Sequence, residues 1–275
     1  MSPTPLSNTL SALQSTGPAA SFPLSREVLT ALPVNSQIAR LEQGIVQIVF
    51  ESAERQHFGS GVIINERGHV LTALHVLEPD PAVPWQAPYA LVSTGAGPVK
   101  LPIRILKVSP SEDLALVALP EQRTYRAISI LDRNIESGET LFSLGFPKGV
   151  KEISVGQALF PSTDPEVLET FATFRSKWET LNYRCAILLV DVLGGHVQNG
   201  NVVSTNQIEH GSSGGAMLSA DGRLAGLVVS FKSRMREFQE DLREVSSVDL
   251  GDYNFPERVA VSRSTAQLRS FITSR

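Results

Sequence analysis

The chain has 275 residues, of which 42% are hydrophobic and 19% charged, and its formal net charge is −4. This composition indicates a folded globular protein that is long enough to bury a substantial core. Charges of both signs are scattered along the chain, so the basic patch that drives counterion release from nucleic acid is missing. Nucleic acid is therefore excluded as an expected partner.

Cys185 is the single cysteine, which excludes an intramolecular disulfide and gives no sign of an oxidising compartment. The N-terminal residues lack a basic start followed by a continuous apolar region, and no later apolar run is long enough to span a bilayer. We therefore expect a cytoplasmic protein with no membrane partner.

The first half of the chain predicts short strands that follow a polar start. Residues 1–35 are rich in Ser, Thr and Pro and predict a loosely ordered arm. Residues 35–43 predict a short helix capped by Asn35 or Ser36. Turn residues then separate a first series of six apolar strands, predicted at residues 44–50, 58–65, 69–76, 89–94, 100–108 and 113–119.

A polar link at residues 123–139 leads to a second series of about six strands. The candidate segments are residues 140–147, 152–160, 185–192, 201–207, 215–219, 224–231 and 258–262. Helical spacing predicts a helix at residues 164–181, and Ser264 and Gln267 match a capping box for a terminal helix. Two series of strands predict two antiparallel β-domains of barrel or sandwich type.

Residues 210–218, "HGSSGGAML", place five small residues in front of an apolar run. Glycines at such a point indicate a flexible turn, or a backbone that turns sharply or approaches something closely. His75 ends one predicted strand and Asp113 begins another, and each alone is an ordinary structural residue. With Ser213 they form the order His, Asp, Ser, with the first two in one strand series and the third in the other.

Six segments between about Gly59 and Ile272 resemble the sequence of a known protein family. They read "GSGVIINERGHVLTALHVL", "DLALVAL", "SGETLFSLGFPKG", "ISVGQALF", "GSSGGAMLSADGRLAGLVVS" and "RVAVSRSTAQLRSFI". In these segments the chain resembles a chymotrypsin-fold serine protease, above all the bacterial HtrA/Deg type. The resemblance implies an all-β fold of two six-stranded antiparallel β-barrels, with a few peripheral helices and a C-terminal helix. The expected units are the arm 1–35, an N-terminal barrel with a short leading helix at 36–130, and a C-terminal barrel with inserted helices at 131–275.

The resemblance also implies a serine endopeptidase that acts on polypeptides without a metal or organic cofactor. Ser213 would attack the peptide carbonyl and form an acyl-enzyme, while the N–H groups of Gly211 and Ser213 would hold the oxyanion. His75 would act as general base, and Asp113 would fix its tautomer and stabilise its charged form.

Substrate is expected to pair by β-addition with a strand edge. The residues of this expected edge are Leu227, Val228, Val229, Ser230 and Phe231. Gln207 stands six residues before Ser213, where trypsin-like enzymes keep the acid that selects Lys or Arg, so a basic P1 preference is not indicated.

Three departures from the family pattern bear on regulation. Ser212 replaces the Asp that precedes the nucleophile in animal digestive members, which argues against activation by N-terminal processing. The segment 232–256 is long for its place, and a helix at 234–245 would cap the substrate pocket, unless the segment is a solvated loop. The chain stops at Arg275, so a role that depends on a following PDZ domain is not expected.

Two alternatives remain open beside the protease. One is a catalytically silent binding module with this fold, and the other is an effector that a regulatory protein partner, the arm or the pocket helix switches on. Four further histidines show no metal-ligand spacing: His57, His69, His196 and His210. The sequence predicts neither an oligomeric state nor a metal site.

Overall fold

Apolar segments rich in β-branched residues form the strands of two antiparallel sheets. A computed structural model describes residues 40–136, 138–158, 200–233 and 258–274. The strands of the first sheet are β1 Ile45–Glu51, β2 Gln56–Ile63, β3 His69–Thr72, β4 Tyr89–Thr94, β5 Gly97–Pro102, β6 Arg104–Ser109 and β7 Leu114–Ala118. Those of the second are β8 Thr140–Gly145, β9 Glu152–Gln157, β10 Asn201–Ser204, β11 Ala216–Leu218, β12 Leu224–Ser233 and β13 Arg258–Ser264.

The first sheet curls on itself because one predicted strand bends at Ile103. The strand order is β5-β4-β1-β2-β3-β7-β6, so the two edge strands are consecutive in sequence. β5 pairs with β4 and β6 pairs with β7, and Ile103 alone separates the two halves. The sheet thus has seven strands where six were expected, since the segment predicted as one strand at 100–108 contributes to both edges.

The second sheet has six strands in the order β10-β13-β12-β11-β8-β9. An isolated antiparallel bridge between Ala158, just after β9, and Ser204 of β10 brings its two edges together. With the C-terminal helix α1 Thr265–Thr273, this arrangement confirms the expected all-β, chymotrypsin-like double barrel. Several predicted segments lie outside the described residues: the arm 1–35, the caps Asn35 and Ser36, the helix 164–181, the strand 185–192 with Cys185, His196 and the helix 234–245.

Helix α1 ties the end of the chain to both barrels. Ser264 and Gln267 form the predicted capping box, in which each side chain bonds the other residue's backbone. Two side chains of α1 are buried in a core cluster shared by the two barrels, whose members include Val62, Leu114, Phe142, Leu227, Leu268 and Phe271. Burial of such side chains stabilises each by roughly 1.5–3 kcal/mol. The two barrels therefore share this core cluster, which fixes their relative position.

The polar link before β8 is held by an ion pair. The Arg133 guanidinium binds both carboxylate oxygens of Glu139 at 2.6 and 2.8 Å, and Glu136 N donates to Oε1 at 2.6 Å. The Arg133 guanidinium lowers the pKa of Glu139, although partial burial of the carboxylate acts in the opposite direction. This pair fixes the geometry of the turn from which β8 starts.

Glu139→Gln is expected to lower the free energy of unfolding at neutral pH by about 0.5–1 kcal/mol, because Arg133 is half exposed and the pair is solvent-screened. The folded-state pKa is depressed, so the stabilisation is present above about pH 4.3 and is lost as pH falls. Urea unfolding of the wild type and Glu139→Gln at neutral pH and near pH 3 measures the difference in unfolding free energy. A difference that is as large near pH 3 as at neutral pH would contradict this role of the ion pair. Glu54→Gln on the exposed β1–β2 turn is the control and should unfold like the wild type.

Candidate active site

His75 and Asp113 come together at one end of the first barrel. β3 ends at Thr72, and His75 lies in a 3₁₀ helix, Leu74–Leu77, rather than at the end of the strand. β7 pairs with β3 and begins directly after Asp113, which places the two residues side by side. The turn at Asp113 has a left-handed backbone with φ of +52°, and its carbonyl accepts Leu74 N at 3.2 Å.

The Asp113 carboxylate holds His75 at two points. Oδ1 accepts the His75 backbone N–H at 3.0 Å, and Oδ2 lies 2.8 Å from the imidazole Nδ1. This contact assigns the ring proton to Nδ1 and leaves Nε2 as the acceptor. Among the described residues Nε2 makes no hydrogen bond. The side chains of His75 and Asp113 are 46% and 30% exposed, so the pair orients the ring more than it stabilises the fold.

Arg263 of β13 reaches across from the second barrel to the turn that carries Asp113. Its Nε donates to the carbonyl of Glu112 at 2.5 Å, and its Nη1 donates to Asn201 Oδ1 at 2.9 Å. Burial lowers the pKa of the Arg263 guanidinium, while the charges of Asp113 and Glu112 act to raise it. Arg263 thereby braces the left-handed turn and contributes positive charge close to the Asp113 carboxylate.

The glycines of residues 210–218 allow a backbone that side chains would obstruct. Gly211 and Gly214 have φ of +96° and +80°. A Cβ at Gly211 would lie 2.4 Å from Phe146 O, and one at Gly214 would lie 2.0 Å from Ser60 O. The turn is therefore a closely packed structure and not merely a flexible connection.

The carbonyl oxygens of four successive residues, 210–213, which we call the nucleophile loop, each accept a hydrogen bond of 2.7 or 2.8 Å. The pairs are Lys148 N to His210 O, Ser60 Oγ to Gly211 O, Gly215 N to Ser212 O, and Ser60 N to Ser213 O. Two of the four donors belong to one residue of the first barrel. All four carbonyls of the loop are thus hydrogen-bonded within the protein, which holds the loop in place.

The same loop leaves two N–H groups open. Neither Gly211 N nor Ser213 N donates to an acceptor among the described residues, whereas Ser212 N donates to Glu209 O at 2.9 Å. No described peptide is cis, so the Gly211 N–H points opposite to the His210 carbonyl and away from Lys148. Two unpaired amides beside a serine are the donor set that stabilises an oxyanion.

The Ser213 hydroxyl points to the second barrel. Its Oγ contacts Val229 O at 3.5 Å, the upper limit for a hydrogen bond, and no described contact joins it to His75. The structure therefore brings His75 and Asp113 together and directs Ser213 to β12. A weak bond of this kind is easily exchanged by rotation about χ1.

Two residues of the expected substrate edge are paired within the sheet. Leu227 pairs with both Ala216 and Arg263, and Val228 bonds Gly214 and Gly215 on the side of the nucleophile loop, so neither offers a free edge. β11 ends at Leu218 and does not continue along Val229 and Ser230.

Gln207 is exposed and lines a small cleft. The polar residues that line this cleft include Ser143, Glu152, Ser154 and Ser212. At one side of the nucleophile loop the rings of His210 and Phe231 meet edge to face, with centroids 5.6 Å apart. Sequence reasoning did not single out Ser60 or Arg263, although glycines on both sides of Ser60 within a strand signal close backbone approach.

The part of the chain that the structure describes holds no group of three or more His, Cys, Asp or Glu side chains arranged to bind a metal. None of its helices is long and apolar enough to cross a membrane.

Arg263→Met is expected to weaken the His75–Asp113 hydrogen bond, because the Glu112 carbonyl loses its donor. We expect the downfield proton resonance of His75 Nδ1–H to broaden or disappear, with a loss of about 1–3 kcal/mol in unfolding free energy. Arg269→Met is the matched control, since Arg269 also donates to a backbone carbonyl, that of Leu131. An unchanged His75 resonance in Arg263→Met would contradict this role for Arg263.

Comparison with known proteins places this geometry in a family. The model of the trypsin-like peptidase domain matches residues 59–227, whereas no curated protein matches the chain at a significant level.

Two solved structures share the fold. The serine endoprotease from Yersinia pestis is 16% identical with a TM-score of 0.54, over 86% of this chain and 64% of that one. The MamO protease domain from Magnetospirillum magneticum is 14% identical with a TM-score of 0.56, over 86% of this chain and 100% of that one. At these identities the likeness concerns the fold alone, and the chain spans less than two thirds of the Yersinia protein. The family match covers more than half of the chain, which therefore belongs to the trypsin-like peptidase domain family.

Proposed function

We propose that this chain is a serine endopeptidase that hydrolyses peptide bonds in polypeptide substrates. The observation that carries the proposal is the pairing of His75 Nδ1 with Asp113 Oδ2 at 2.8 Å, while Nε2 makes no hydrogen bond to any described residue. The N–H groups of Gly211 and Ser213, which have no acceptor among the same residues, support it independently, because an oxyanion needs such donors. Membership of the peptidase family supports the same class of reaction.

In the proposed reaction the Ser213 hydroxyl turns from Val229 O to His75 Nε2. Oγ attacks the substrate carbonyl carbon as its proton passes to Nε2, and the carbonyl oxygen becomes an anion. The N–H groups of Gly211 and Ser213 donate to this anion. Collapse of the intermediate breaks the C–N bond, and Nε2 returns the proton to the leaving amine.

Deacylation repeats these steps with water. His75 takes a proton from water as the water oxygen attacks the ester, and then gives it back to Ser213 Oγ as the acyl product leaves. Asp113 stays ionised throughout and stabilises the imidazolium that forms in each half-reaction. Arg263 supports that state by holding the turn at Glu112.

Substrate orientation follows from the position of β12. An extended peptide that pairs with β12 at Val229 and Ser230 would run next to the Ser213 hydroxyl, which contacts Val229 O. Gln207 is uncharged and offers no ion-pair partner to a basic P1 side chain, although Glu152 in the wall of the same cleft carries a carboxylate. The ring contact between His210 and Phe231 adds an aromatic wall that favours contact with apolar substrate groups.

A second candidate is a protease-fold effector that a partner protein switches on. The direction of the Ser213 hydroxyl favours it, since Oγ meets Val229 O and not the imidazole. In that case the partner would stabilise the rotamer that reaches His75, and the free chain would turn over slowly. A silent binding module would keep the same resting geometry without this step.

Reaction with a fluorophosphonate probe tests the proposal. We expect covalent labelling of the folded wild type at Ser213, complete loss in Ser213→Ala, and at least a hundredfold slower labelling in His75→Ala because the base is missing. Ser219→Ala and His69→Gln are the matched controls, and both should label at the wild-type rate. Intact-protein and peptide mass spectrometry locate the adduct.

Absence of labelling in a well-folded wild type would contradict a constitutive peptidase. Labelling that appears only after addition of cell extract, and that still requires Ser213 and His75, would establish the partner-dependent effector instead. Cleavage of a casein substrate under the same conditions separates peptide hydrolysis from mere nucleophile reactivity.

A further inference from the structure

We propose that Ser60 is a positioning residue that fixes the nucleophile loop against the barrel carrying His75 and Asp113. The structural part of this inference stands on the contacts of Ser60 alone. Its catalytic consequence rests on the proposed function. Ser60 lies in β2 of the first barrel and touches no reacting atom, so it acts through the loop that it holds.

Every polar group of Ser60 is used in a contact that leads to the site. Ser60 is fully buried, at 0% exposure. Its N–H donates to Ser213 O at 2.8 Å, and its carbonyl accepts the Thr72 hydroxyl at 2.7 Å. Its hydroxyl donates to Gly211 O at 2.7 Å and accepts Phe146 N at 2.9 Å. A serine hydroxyl can donate only one hydrogen bond, and here it is given to the loop.

The hydroxyl matters because Gly211 cannot hold its own conformation. Glycine occupies left- and right-handed backbone regions with similar ease, so contacts from outside must select the orientation at Gly211. The Gly211 carbonyl has the Ser60 hydroxyl as its donor, and the preceding His210 carbonyl has Lys148 N. Lys148 N holds the peptide plane that carries the Gly211 N–H, and the Ser60 hydroxyl holds the plane that follows Gly211. Together the two bonds select the φ and ψ of Gly211, and loss of the Ser60 bond would free one of the two planes.

The surrounding packing is shaped for this one side chain. A Cβ on Gly59 would lie 2.5 Å from Val76, one on Gly61 would lie 2.6 Å from Val70, and one on Gly145 would lie 2.9 Å from Ser60 Oγ. Glycine at 59 and 61 leaves room for side chains of the first barrel, and glycine at 145 of the second barrel leaves room for the Ser60 hydroxyl. Serine is therefore the small residue that both fits and donates.

Ser60 also connects the loop to the base. Thr72, which donates to the Ser60 carbonyl, ends β3, and His75 follows three residues later in the 3₁₀ helix. Two hydrogen bonds thus connect Ser213 through Ser60 to Thr72, and the backbone from Thr72 leads to His75. A shift at Ser60 would change both the oxyanion donors and the distance from nucleophile to base.

Ser60→Ala is the first test. We expect the fluorophosphonate labelling rate to fall about tenfold to a hundredfold, somewhat less than the loss of an oxyanion donor itself. For a peptide substrate, kcat should fall while KM stays within about twofold, because the affected donors act in the transition state. Ser219→Ala is the matched control, since Ser219 is also buried, at 3% exposure, and its hydroxyl donates to Asp221 Oδ1. It should leave rate, kcat and KM unchanged.

Ser60→Cys keeps the proposal testable if the alanine variant does not fold. A thiol has nearly the same shape and is a weaker donor, so its rate should lie between those of the wild type and Ser60→Ala. Wild-type rates in a folded Ser60→Cys or Ser60→Ala protein, with unchanged amide resonances, would overturn the proposal.

Amide NMR separates this proposal from the proposed function. In the uninhibited protein the ¹H–¹⁵N resonances of Gly211 and Ser213 should move in Ser60→Ala or Ser60→Cys and stay in place in Ser219→Ala. If the wild type is not labelled at all, the peptidase assignment fails, and these resonances alone decide the role of Ser60. Shifts confined to the Ser60 variants would support it, and their absence would refute it.

Discussion

The active-site geometry depends on one constraint: the nucleophile loop cannot satisfy its own backbone. Four successive carbonyls need donors, and only Gly215 supplies one from the same turn. Two others come from Ser60 of the opposite barrel and one from Lys148. Because each peptide is trans, the donors to the His210 and Ser212 carbonyls turn the N–H groups of Gly211 and Ser213 to the opposite side. Neither N–H has an acceptor among the described residues, so both can donate to an anion.

The two barrels consequently divide the chemistry between them. The first barrel carries His75 and Asp113 and extends Ser60 to the nucleophile loop, whereas the second carries Ser213 and extends Arg263 to the turn at Asp113. Each barrel therefore positions the functional residue of the other. The shared core cluster, to which α1 contributes Leu268 and Phe271, keeps these crossed contacts in register.

Local signals in the sequence predicted much of this arrangement. The series of short strands indicated two β-domains, and the glycines around Ser213 indicated either a flexible turn or a sharp, closely packed one. The roles of Ser60 and Arg263 were not predicted, because each residue bonds a partner 151 residues away in sequence, Gly211 and Glu112 respectively. No local pattern encodes such a pairing. The bend at Ile103 was missed because apolar residues continue through it. Leu227 and Val228 were expected at a free edge because sequence does not reveal where β11 ends.

A crystal structure of the protein with a peptide boronate tests this active-site geometry most directly. We expect a bond from Ser213 Oγ to boron, with one boronate oxygen within hydrogen-bond distance of both Gly211 N and Ser213 N. We also expect that Ser60 Oγ still donates to the Gly211 carbonyl in that complex. A boronate bound without the covalent bond, or with its oxygen turned away from both amides, would contradict this geometry.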